Sequence, residues 1–133
     1  LGMPIGIPNR WMAATTDGTR LMAIHTPHIG GVLHEYMADG DALRSRVVGQ
    51  GLTNHRNGTR ELDLSVWVDG KLLVPMQDRR SLACFDARRQ WRPCAVVPLP
   101  GPVTATTGWK LHNRPGAVVL LDDGQLLFAP SGG

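Results

Sequence analysis

The stretch AVVLLDDGQLLFAP, residues 117 to 130, sets two apolar runs on either side of Asp-Asp-Gly. Asp-Gly suits a tight primed turn, because both central positions need positive φ, which glycine adopts freely and aspartate tolerates better than most residues. The stretch therefore predicts a β-hairpin. The unit occurs three times, as AATTDGTRLMA (13 to 23), LSVWVDGKLLVP (64 to 75) and VVLLDDGQLLFAP (118 to 130). Its Asp-Gly pairs start at 17, 69 and 123, hence separations of 52 and 54 residues. Near-equal periods of this length mark repeat architectures in which each unit buries its faces against its neighbours.

A second hairpin follows the first in two of the periods. It is GVLHEYMADGDALRSRVV (31 to 48) in the first and SLACFDARRQWRPCAVV (81 to 97) in the second, with Tyr36 matching Phe85 and Leu43 matching Trp91. Two hairpins per period make a four-stranded antiparallel sheet, the unit of a propeller blade. The expected fold is all-β: antiparallel four-stranded blades of a β-propeller, about two and a half of them in this chain. The repeats span approximately 1–50, 51–101 and 102–133, the last incomplete. A β-sandwich of about ten strands is the alternative, since it too needs turn signals every eight to twelve residues.

FDARRQWRPCAVVPLPGP (85 to 102) resembles the outer half of a kelch-type blade: an aromatic-Asp pair before a turn, a Trp about six positions on, and a Pro-rich connector. VDGKLLVP and DDGQLLFAPSGG are similar to the inner strands of such blades, with the Gly-Gly doublets Gly30-Gly31 and Gly132-Gly133 set several residues later than in that family. The resemblance implies a propeller. A propeller needs at least about four blades to close, so this chain is expected to be a segment of a longer propeller or one protomer of a ring completed by a companion chain or identical protomers. A blade face lined by Val66, Val68, Leu72 and Val74 is expected to need such a neighbour.

Composition narrows the function classes. With 133 residues and 42% hydrophobic content the chain is long enough for a real core, and 16 Gly with 10 Pro favour short strands over helices. The net charge of +3 comes from twelve Arg and two Lys spread singly or in pairs, Arg79-Arg80 and Arg88-Arg89. That scatter, without aromatic-basic interleaving, argues against a nucleic-acid surface. No apolar run reaches the roughly eighteen residues of a membrane span, and no basic-then-apolar leader opens the chain. Asn57-Gly58-Thr59 matches the N-glycosylation acceptor pattern. A hairpin turning at DARR is expected to set Cys84 opposite Trp91 and leave Cys94 on the other face, with no disulfide between them.

HTPHIGGVLH brings His25, His28 and His34 within ten residues, next to Glu35. No pair has helical i, i+4 spacing, so these are read as loop and strand-edge histidines; no metal or cofactor site is predicted. Trp67 and Trp91 sit at positions suited to packing between sheets. Trp109 is expected in a long polar connector, 104 to 116, ahead of the last hairpin. Asn with Arg or His recurs in the three matching connectors, PNRW, TNHRNGTR and LHNRPG. The candidate ligand-binding residues are accordingly Arg10, Trp11, Asn54, Arg56, Trp109, His112, Asn113 and Arg114, gathered on one rim to meet a glycan or a protein. No catalytic constellation occurs: no nucleophile elbow, phosphate-cradling loop, paired carboxylates or zincin helix. The expected function is a non-catalytic binding or interaction module. The alternatives are a piece of a larger propeller-containing enzyme and a structural subunit of an assembly.

Overall fold

The computed structural model describes residues 12–25, 30–53 and 64–131. They form three antiparallel sheets. The first holds β1 (Met12–Thr16), β2 (Leu21–His25), β3 (Val32–Asp39) and β4 (Ala42–Gly49) in chain order. The second holds β5 (Val66–Val68), β6 (Lys71–Pro75), β7 (Ser81–Asp86) and β8 (Arg92–Pro98), again in order. The third has three strands, β9 (Val103–Leu111), β10 (Arg114–Leu121) and β11 (Leu126–Pro130), with β10 in the middle. Among the described residues no sheet closes on itself and no helix is long and apolar enough to cross a membrane.

The sheets stack face to face with the second in the middle. Its near face packs Leu72, Val74, Ala83, Phe85 and Trp91 against Met22, Ile24 and Leu33 of the first sheet. Its far face packs Val68, Leu73, Leu82 and Cys84 against Val103, Ala117, Val119 and Ala129 of the third. Residues 71 to 75 and 82 to 86 are all buried, because a strand covered on both faces has no solvent side. This corrects the single exposed face expected for Val66, Val68, Leu72 and Val74. Val66 pairs with Leu73 and Val68 with Lys71, so the two valines of β5 face the third sheet, while Leu72 and Val74 face the first. A two-layer sandwich has no such doubly covered sheet.

Polar contacts stitch the layers. Trp67 Nε1 donates to Thr15 Oγ1 at 2.9 Å. Trp91 Nε1 donates to Glu35 Oε2 at 2.6 Å, and Arg46 Nε donates to Glu35 Oε1 at 3.0 Å. At one end of the stack the backbones interlock, with Thr53 N bonded to Pro75 O at 2.8 Å and Val103 N to Arg79 O at 2.9 Å. The opposite end, the turn end, carries the turns at 17–20, 40–41, 69–70, 87–91 and 112–113.

Two further expectations are overturned. Residues 103 to 111 form a strand rather than a connector, paired with β10 through a turn at His112 (φ 49) and Asn113 (φ 64). The third Asp-Gly therefore joins the second and third strands of its sheet, whereas those at 17 and 69 join the first and second. The β-branched run of VTATT favours extended backbone, and Asn tolerates the left-handed turn, so the polarity of this stretch concealed a hairpin. In the second sheet the turn absorbs residues 87 to 91, so that Asp86 pairs with Arg92. The register then shifts between Ala83 and Phe85, whose partners are Val96 and Pro93, and Cys84 lies opposite Cys94 and Ala95, not Trp91. Both thiols are free, Cys84 buried and Cys94 exposed.

Candidate functional site

At the turn end, the second sheet builds a cavity of about 500 Å³. Its first wall is the two-residue turn Asp69-Gly70, at φ 50 and φ 75. Glycine suits the second position because its backbone is left-handed there; a Cβ would also lie 2.8 Å from the Nε of Arg88, an exposed side chain that can swing aside. Its second wall is the turn between β7 and β8, a single 3₁₀ turn over Ala87–Arg89. Asp86 caps that turn: its Oδ1 accepts from Arg88 N at 3.0 Å, while Ala87 N donates to Gly70 O at 3.1 Å and ties the walls together. Pro93 and Cys94 of β8 and Pro115 of β10 complete the lining.

Lys71, Arg88, Arg89 and Arg92 face two carboxylates, Asp69 and Asp86, around this cavity. Asp86 is buried and sits opposite Lys71 across the β6–β7 pair. Arg88 Nε reaches its Oδ1 at 3.4 Å and Arg89 Nε its Oδ2 at 3.8 Å. Burial pulls the Asp86 pKa up, but the Arg88 backbone N–H and the two guanidinium groups outweigh it and hold the carboxyl below its ordinary 3.8. Asp86 is thus spent on the turn, and the cavity keeps an excess of positive charge. Such a lining attracts anions.

Behind this turn, Trp91 adopts left-handed backbone at φ 61 while its ring is 4% exposed. A bulky residue holds that conformation only when its surroundings over-determine it. Here the indole is fixed by Glu35 of the first sheet and by an edge-on contact with Trp67, ring centroids 5.9 Å apart.

Of the residues singled out from sequence, Trp109, His112, Asn113 and Arg114 belong to the β9–β10 hairpin. Trp109 is 60% exposed on the face of the third sheet turned away from the second, and His112 and Asn113 are the turn itself. Arg10, Trp11, Asn54 and Arg56 lie outside the described residues. Thr53, which borders the second of those segments, is anchored at the end of the stack opposite the His112-Asn113 turn. On the outer face of the first sheet, His25 and His34 stack with centroids 3.8 Å apart, and His25 Nε2 is hydrogen-bonded to the Tyr36 hydroxyl. Burial, and for His25 also the neighbouring His34, pushes both imidazoles below their ordinary 6.5. His28 lies outside the described residues. Among the described residues no group of three or more His, Cys, Asp or Glu could hold a metal ion.

The cationic cavity went unseen in the sequence because its cations are split between two turns some twenty residues apart. A signal exists in retrospect: Lys71 directly follows one hairpin turn, while Arg88 and Arg89 lie in the next turn at the same end and Arg92 directly follows it. Compared with models of known families, with curated proteins and with solved structures, the chain matches none.

Proposed function

We propose that this chain is a non-catalytic binding module of propeller-like build, whose third sheet receives a further sheet from another copy of the chain or a companion chain. The observation that carries the reading is the outer face of that third sheet. Leu126 (68%), Trp109 (60%) and Leu111 (40%) are exposed there, and Val118, Leu120 and Phe128 beside them are half-buried. In the second sheet the central strands β6 and β7 are covered on both faces by the neighbouring sheets. Contiguous apolar surface of this kind marks an interaction site. Strand order supports the propeller-like build: each of the first two sheets keeps its four strands in sequence and stacks on the next, as blades do. In such a ring the turn end faces a ligand, glycan or protein, with the cationic cavity and the His112-Asn113 turn on the same rim.

Sedimentation equilibrium of the purified chain, alone and with Leu126→Arg, tests this. Assembly to a defined multiple that Leu126→Arg abolishes, or capture by a companion chain that the same change abolishes, supports the reading. A monodisperse monomer that binds no further chain, with Leu126→Arg behaving as wild type, refutes it.

A further inference from the structure

The cationic cavity has a nucleophile in its wall. Cys94 is exposed at the start of β8, on a lining shared with Lys71, Arg88, Arg89 and Arg92. Asp86 already engages Arg88 and Arg89, and Arg92 makes no ion pair among the described residues. The space of about 500 Å³ matches a small-molecule pocket. Directly across the strand pair stands a second thiol, Cys84, which is 1% exposed and donates to Ser131 O at 3.4 Å. One thiol is therefore open to solvent within a field of positive charge, and its only neighbouring thiol is locked in the core.

We propose that Cys94 is a thiol-modification site selective for anionic disulfides, which the lysine and arginines of the cavity draw in and hold. The step balances without an outside oxidant. The Cys94 thiolate sulfur, its proton given to solvent, attacks one sulfur of the incoming disulfide. A new bond forms between Cys94 Sγ and that sulfur, the original S–S bond breaks, and the second half leaves with the electron pair as a thiolate. Cys94 is oxidised to the mixed disulfide and the leaving half is reduced.

The chemistry stops there because Cys84 is a poor attacking group. Cys84 is held in the core with its thiol donating to Ser131 O, and burial is the first cause that pushes that thiol up, to about 12 in the unreacted protein. It stays protonated at neutral pH, and exchange requires the thiolate. The adduct on Cys94 therefore persists and is not displaced by an internal Cys84–Cys94 bond. The ligand class is a small disulfide carrying two or more carboxylates. A cationic disulfide is repelled by the same lining.

The test compares second-order rates with the dianion 5,5′-dithiobis(2-nitrobenzoate) and the dication cystamine. Each rate is normalised to that of the neutral thiol N-acetylcysteine amide, and the adduct is located by peptide mass mapping. At low ionic strength the normalised rate for the dianion is expected to exceed that for the dication by about ten-fold or more. The preference collapses at 1 M salt, where the screening length is about 3 Å. Arg92→Glu lowers the dianion rate several-fold while the circular dichroism spectrum and thermal midpoint stay as in wild type. Cys84→Ser leaves the adduct in place, and Cys94→Ser abolishes it. Equal normalised rates for the two probes, labelling of Cys84, or a product two hydrogen masses lighter with Cys84 joined to Cys94 each overturn the proposal.

Discussion

Replacing Glu35 by Ala probes the joint between the first two sheets. The carboxylate is 8% exposed and accepts from Trp91 Nε1 at 2.6 Å and Arg46 Nε at 3.0 Å. Without it the indole N–H stays buried with no acceptor, a loss of about 1–3 kcal/mol. The Arg46 guanidinium is half exposed, so its ion pair adds no more than about 1 kcal/mol. The expected destabilisation is about 2–3 kcal/mol, a fall of about 10 °C in melting temperature for a chain of this size. Trp91→Phe keeps most of the ring and removes the donor. Urea denaturation followed by circular dichroism on the two single variants and the double variant closes a double-mutant cycle, with an expected coupling of about 1.5–2.5 kcal/mol. Coupling below about 0.5 kcal/mol would show that the bond does not hold Trp91 in its left-handed conformation, and the account of the turn behind the cavity would fail.

Gly31→Ala is expected to destabilise by about 3–5 kcal/mol, because its Cβ would fall 1.5 Å from the Leu52 carbonyl oxygen at a position that already has positive φ. Gly51→Ala, with open space around the Cβ, costs about 1 kcal/mol; equal melting temperatures for the two variants would refute the packing argument. His25 and His34 have folded pKa values below their ordinary 6.5. The unfolded chain therefore takes up protons first, so the stability tied to these neutral imidazoles is complete above about pH 6.5 and is lost as the pH falls through the folded values. Denaturant midpoints between pH 7.5 and 5 are expected to drop less in His34→Gln than in wild type, and parallel curves would count against the stacked pair as the cause. Counting titratable thiols in the native chain is expected to find one reactive cysteine, Cys94, with the second appearing only on unfolding.

The hairpins at 13 to 23 and 64 to 75 were legible because Asp-Gly between apolar runs leaves little conformational choice, and their common spacing carried over into two sheets of like strand order. The match of Tyr36 with Phe85 was legible on the same ground. Each lies on the third strand of its sheet and on the face turned the same way along the stack. The third Asp-Gly has the same local chemistry and a different place in its sheet, since a turn signal says which segments reverse and not which neighbour comes before them. Cys84 and Cys94 show the same limit at finer scale. One register shift beside a five-residue turn exchanged the residue opposite Cys84, and side-chain facing has a period of two.

Taken alone, the sequence determined the all-β class, the antiparallel hairpins and the absence of a long apolar helix, because turn chemistry and strand periodicity act over a few residues. Tertiary structure alone decided that the second sheet lies between the other two, that Glu35 reaches Trp91 from 56 positions away, and that Lys71, the three arginines and Cys94 enclose one cavity. These depend on how sheets stack and which ends align. That outcome is set by the burial of apolar faces between segments far apart in the chain, and no local pattern encodes it.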